Sequence, residues 1–202
     1  MDPLIDTRPG GASPVLTTAR LRLHTWSDED AEGLYRLSTD PEVMRHFPGM
    51  PTREQIAELV ERQRDNLSNG RPGLFAVTVG PAVEPVATPD GFIGFVGLAT
   101  PTFPAPFMPC VEIGWRLATK AWGHGYATEA GRAVLHHGFR TLGLPEIVSF
   151  TAVVNEPSIA VMRRLGMRHD PDGDFDHPRV PEGHPVRRHV LYRLRADEWQ
   201  PD

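Results

Sequence analysis

The stretch from Glu112 to Ala130 runs from a strand-like segment, Glu112-Ile-Gly-Trp-Arg-Leu117, through Trp122-Gly-His-Gly-Tyr-Ala127 into a helix-like one. Gly123 and Gly125 let the backbone of such a turn come close to a ligand, and the helix that follows offers N–H groups at its positive end. That chemistry suits a diphosphate. Taken alone, Gly-x-Gly fits a purely structural turn equally well. No Gly-Lys-Ser/Thr is present, which excludes a P-loop. A dinucleotide fingerprint needs glycine where Thr128 stands and opens a βαβ unit instead of following a meander, which disfavours a nucleotide-binding oxidoreductase.

Other chemically capable residues point to less. Cys110 is the single cysteine, so it has no internal disulfide partner, and no zinc or paired-thiol spacing surrounds it. A small buried residue is the reading for it. Asp170, Asp172, Asp174 and Asp176 have the rhythm of a calcium loop, but Phe175 replaces the required glycine and Pro181 the bidentate glutamate. Phe175-Asp-His-Pro178 can be an amine-binding loop or a structural turn. His136 and His137 fall inside a long helix and are read as solvent or core residues. No nucleophilic serine or cysteine arrangement is visible, which favours direct transfer over an acyl-enzyme.

Around these residues the chain of 202 residues, 40% apolar, has enough for one core but is short for two ordinary domains. A formal charge of -5 argues against nucleic acid and is permissive of cationic amines. No apolar run of about 18 residues exists, and Met1 to Pro14 lacks the apolar core of a secretory signal. The expectations are a cytoplasmic protein without membrane contact, a flexible leader over residues 1–18 and a domain over 19–197.

The elements that must position the motif follow from periodicity. Leu21, Leu23 and Thr25 alternate as in a half-buried strand, and Ser27 caps a helix from Asp28 to Leu37. A second helix is expected from Thr52 to Asn69. Phe75 to Val79, Gly91 to Ala99 and Cys110 to Ala118 read as an antiparallel meander. Helical spacing from Gly125 to Leu142, a β-branched strand from Ile147 to Val154, a helix capped by Asn155 and ended by Gly166, and a strand from Val186 to Arg195 complete the order. This is an α/β (α+β) sheet of mixed direction.

Trp122-Gly-His-Gly-Tyr-Ala127 resembles the acetyl-CoA loop of the GNAT superfamily, whose general form is Gln/Arg-x-x-Gly-x-Gly/Ala. Trp122 departs from the first position, and tryptophan there, followed by Gly-Tyr-Ala-Thr-Glu-Ala, is similar to the RimJ and RimL ribosomal-protein acetyltransferases. Leu16-Thr-Thr-Ala-Arg-Leu-Arg-Leu23 and Asn155-Glu-Pro-Ser-Ile-Ala-Val-Met-Arg-Arg-Leu-Gly-Met167 resemble that branch too.

The resemblance implies a GNAT fold, with a mostly antiparallel sheet splayed between its fourth and fifth strands, counted as Cys110–Ala118 and Ile147–Val154. It implies acetyl-CoA as cosubstrate, no metal, and a primary amine as acceptor. Protein N-termini lead by likeness, followed by small amines or antibiotics; a catalytically silent CoA-binding module is the alternative from another class. Trp122, Gly123, His124, Gly125, Tyr126, Ala127 and Thr128 would hold the diphosphate, with core packing the alternative for Tyr126, and Trp115, Arg116 and Leu117 would pair with the pantetheine arm like an added strand.

Glu112 is the candidate base, open to the alternative of a surface or Arg116-paired glutamate. Its replacement by glutamine is expected to slow turnover most visibly at lower pH. Asn155 is both a helix cap and a candidate ligand to cofactor or substrate. Ser158 is the candidate acid toward the thiolate, because Met162 stands where many members carry a tyrosine. Members of this branch often pair as dimers.

Overall fold

The computed structural model describes residues 15–80 and 91–200. Leu21 and Leu23 alternate with Arg22 and His24 and bury both leucines, making β2 (Leu21–His24) an internal strand. The leader expected over 1–18 lies outside the described residues as far as Pro14. Within its last residues Leu16–Thr17 form β1, antiparallel to β2, with Leu16 buried.

Two capping boxes start the first long helices: Ser27 and Asp30 open α1 (Asp28–Ser38), and Thr52 and Gln55 open α3 (Arg53–Ser68). Between them Asp40 caps a short helix, α2 (Pro41–Met44), with Pro41 in its first turn. The strands β3 (Leu74–Val79), β4 (Phe92–Ala99) and β5 (Glu112–Leu117) make the expected meander. β4 is buried from Phe92 to Leu98, because α1 and α4 (Tyr126–His136) both pack against it.

The last turn of that helical run, His137–Thr141, widens to a π-helix before Gly143 ends it. After β6 (Glu146–Ala152), Asn155 caps α5 (Glu156–Arg164). The short β7 (Arg168–His169) and β8 (Phe175–Asp176) then flank β9 (Arg188–Arg195). Val186, expected to begin that last strand, instead packs with Ala152 and Val180 in a small separate core.

The sheet order is β1-β2-β3-β4-β5-β6-β9-β7, with β8 also on β9. Every pairing is antiparallel except β5 with β6, which run parallel with the single register pair Glu112 and Val148. Beyond that point the two strands diverge. The α4 crossover joins them, as a parallel connection requires.

One long-range clamp ties the start of the sheet to α4. The Glu129 carboxylate accepts from Thr18 Oγ1 at 2.5 Å, Arg20 N at 2.9 Å and Arg20 Nε at 2.7 Å. Burial works against its charge, and the bonds from Thr18 and Arg20 outweigh it, holding the carboxyl below its usual range. Glu129→Ala should destabilise the protein by about 2 kcal/mol, the scale for charge-assisted bonds at a partly buried site. Urea denaturation measures this; an unchanged midpoint would show the clamp to be redundant.

Candidate active site

Hydrogen-bond phase along β5 decides which backbone groups face the splay. Ala118 N–H donates to Ile93 O at 2.9 Å, so even-numbered residues bond toward β4 and odd-numbered ones turn toward β6. Ile113 C=O accepts from Ser149 Oγ at 2.8 Å, and Leu117 C=O from Trp122 Nε1 at 2.8 Å. Trp115 N–H, Trp115 C=O and Leu117 N–H are left facing a gap with no strand beside them. An extended chain carrying amides can pair there. The Arg116 backbone bonds toward β4, and its side chain enters the cleft instead.

At the end of β5 the chain turns through Gly123 and Gly125, both at φ +79°, into α4. α4 opens without a side-chain cap, so its first N–H groups point outward from a positive helix end. A Cβ at Gly123 would meet nothing within 4 Å, and one at Gly125 only the tip of Arg20 at 3.6 Å. Tyr126 is 3% exposed, with His124 stacked on its ring and the Arg20 guanidinium 4.7 Å from its centre. Exposed Trp122 is tied to β5 by its indole, and Arg45 lies 5.6 Å from its ring centre.

Loop, splay and acceptor side form one cleft of about 830 Å³. Glu112, Gly114 and Arg116 share one face of β5 inside it. Glu112 has no hydrogen bond or ion pair among the described residues, and burial pushes its carboxyl up to about 8. The alternative pairing with Arg116 is therefore not formed. Asn155 Oδ1 accepts the Ser158 N–H at 3.3 Å as the cap of α5, and its Nδ2 donates to Thr151 Oγ1 at 2.8 Å; one N–H and one lone pair remain for a ligand. The Ser158 hydroxyl has no partner among the described residues.

Residues 20–168 match the acetyltransferase (GNAT) domain family. The chain belongs to the GNAT acetyltransferases. It is 34% identical over 198 residues to the FsC-acetyl coenzyme A-N(2)-transacetylase of Aspergillus fumigatus, covering 93% of this chain and 79% of that protein. A GNAT-family acetyltransferase structure from Bacillus anthracis superposes with a TM-score of 0.69 at 25% identity, covering 91% of this chain and 99% of that one. The Mycobacterium smegmatis RimJ structure, with a CoA disulfide, shares the fold at a TM-score of 0.66 and 22% identity over 88% and 83% of the two chains.

As a GNAT enzyme this protein is an acetyl-CoA-dependent acyltransferase acting on an amine. The residues present fit that cosubstrate: an uncapped helix end behind two glycines for its diphosphate, and unpaired strand groups for its amides. The described residues contain no cluster that could hold a metal and no helix long and apolar enough to cross a membrane.

The GNAT cleft also contains Ser149, Phe150 and His189, which sequence reasoning passed over, and His177 of the Phe175–Pro178 loop, which it had noted. Ser149 is buried and locks the divergence point through Ile113. Phe150, His177 and His189 form a wall continued by Phe103, with His177 4.5 Å from the Phe103 ring centre. Burial, followed by His189 and Arg179, lowers His177 to about 4, so it stays neutral.

The acids of the 170–185 loop hold the loop itself. Asp170 pairs with Arg193, Asp174 accepts from Leu191 N–H, and Asp176 faces Arg187 and Arg188. His137 is buried against Phe75, away from the cleft. Cys110 is half-buried and burial raises its thiol to about 11, far from a reactive thiolate.

Proposed function

We propose that this GNAT enzyme acetylates a primary amine by direct attack in a ternary complex, with Glu112 as general base. The carrying observation is Glu112 itself, an unpaired carboxyl on the cleft face of β5 beside the splay. A carboxyl raised to about 8 is a better proton acceptor than an ordinary one and is ionised where free amines begin to exist. Bound acetyl-CoA supplies the acyl carbon and the leaving thiolate.

Trp115 and Leu117 hold the arm through backbone groups, and the 122–128 loop holds the diphosphate. Glu112 takes the amine proton, directly or through water. The Ser158 hydroxyl, free of protein partners, orients toward the leaving sulfur; a serine is a weak acid, so water completes the proton delivery.

For the acceptor, the relative named as an N(2)-transacetylase, a name that numbers one nitrogen of its acceptor, supports an amine of a defined compound as one reading. The Trp122 loop motif, similar to RimJ and RimL, supports a second reading, a protein N-terminus.

Calorimetric titration with acetyl-CoA, using NAD and ATP as controls, followed by thiol-release assays on small amines and N-terminal peptides, tests both. Selective acetyl-CoA binding and thiol release with an amine are expected. Binding without release for any amine would support a silent CoA-binding module instead, and no acetyl-CoA binding would overturn the cosubstrate assignment.

A further inference from the structure

Arg116 has no carboxylate partner among the described residues, unlike arginines elsewhere in the chain: Arg64 pairs with Asp28 and Glu61, and Arg193 with Asp170 and Glu146. Its NH1 donates to Ser38 Oγ at 3.2 Å, and its buried Nε has no partner. The rings of Phe47 and Phe95 lie 4.2 and 5.5 Å from its guanidinium carbon. Ring contacts use the faces of a guanidinium, whereas its N–H donors radiate in the plane and still need acceptors. Loss of the proton does not resolve this: burial lowers Arg116 only to about 10, so it remains a cation at neutral pH. A cation drawn out of water without a counter-charge is unfavourable until an anion reaches it.

The other uncompensated group on the same face is Glu112, four residues earlier, a rise of about 13 Å along an extended strand. Between them stands Gly114. A Cβ built there meets nothing within 4 Å except Glu112 Oε1 at 3.8 Å, so the floor between acid and cation is open. All three residues line the one cleft.

We propose that Arg116 is a specificity residue that binds an anionic group, carboxylate or phosphate, on the acceptor, at the far end of a molecule whose amine lies at Glu112 and whose chain crosses Gly114. The inference rests on the acetyl-transfer reading above and narrows its acceptor. The anionic group is set apart from the amine, because Glu112 and Arg116 stand four residues apart on the strand, a span that the Glu112 carboxyl shortens by leaning over Gly114. An amine without the anion leaves the guanidinium uncompensated and binds more weakly.

The test uses the full chain and linear amines of matched length ending in carboxylate, phosphate or methyl. The wild type should favour an anionic end over methyl by about 10- to 100-fold in kcat/KM, the range of a charge-assisted hydrogen bond. Which anion gives the larger factor identifies the source. The preference should collapse in Arg116→Gln and persist in part in Arg116→Lys, which keeps the charge. Gly114→Val should erase it by blocking the floor with Glu112 and Arg116 both in place.

A preference that is absent in the wild type, or survives Arg116→Gln, overturns the proposal. So does an Arg116→Gln variant that loses acetyl-CoA affinity with its acceptor preference unchanged, since the guanidinium would then serve the cosubstrate. A second arm titrates the protein, without acetyl-CoA, with the same carboxylates lacking the amine. Arg116-dependent binding there supports the anion site independently of turnover. Failure of every amine to react would sink the acetyl-transfer reading while that binding stands.

Discussion

Gly125→Trp is expected to weaken acetyl-CoA binding by at least about 100-fold, or roughly 2.7 kcal/mol, while the chain stays folded. Gly125 sits at φ +79°, a region that costs an L-residue about 1–2 kcal/mol. The indole would also occupy space that the uncapped end of α4 leaves for a ligand. Folding should survive, since an added Cβ meets only the Arg20 guanidinium, at the ordinary contact distance of 3.6 Å. Gly123→Ala, at the same φ but with open space around it, separates backbone strain from bulk and should lose far less affinity. Calorimetry measures binding and a thermal melt checks the fold. Wild-type affinity in folded Gly125→Trp would remove the diphosphate from this loop.

Glu112→Gln should lower kcat/KM by about 100- to 10,000-fold at the pH optimum, the range of a positioned general base. Acetyl-CoA affinity should not change. The pH dependence follows from the sign of the shift. Burial raises the Glu112 carboxyl to about 8, so the base form is scarce below that pH and dominant above it. The ratio of wild-type to variant rates should therefore climb through pH 8 and level off beyond it.

This reverses the expectation for an ordinary glutamate, whose loss shows most at lower pH. Taking the ratio removes the titration of the amine itself, which is common to both enzymes. Undiminished turnover in Glu112→Gln would strip it of the base role but leave the reaction class standing.

Much of the scaffold was legible because it is written locally. Ser27 before Asp28 to Asp30 announces one helix and the apolar spacing after Thr52 another, and the structure starts both with capping boxes. Leu21, Leu23 and their polar neighbours fix a strand and its buried face. The Gly123-x-Gly125 turn foretells a backbone site at a helix start. The short α2 was missed even though Asp40-Pro41 carries its cap and first turn, because four residues make too little periodicity to detect. β1, β7 and β8 escaped for the same reason: two residues have no alternation, and only their partners make them strands.

By itself, then, the sequence determined the mixed α/β order and the glycine turn and put Glu112 forward as a candidate, since propensity, capping and period act between near neighbours. Tertiary structure alone decided three things: that the β5–β6 register is limited to the pair Glu112 and Val148, that Arg116 turns its backbone to β4 and into the cleft a side chain with no carboxylate partner among the described residues, and that His177 packs against Phe103. Each depends on segments distant in sequence coming together. A side chain's desolvation, and hence its proton affinity and its lack of a partner, is a property of that assembled surrounding and has no signature in the residues beside it.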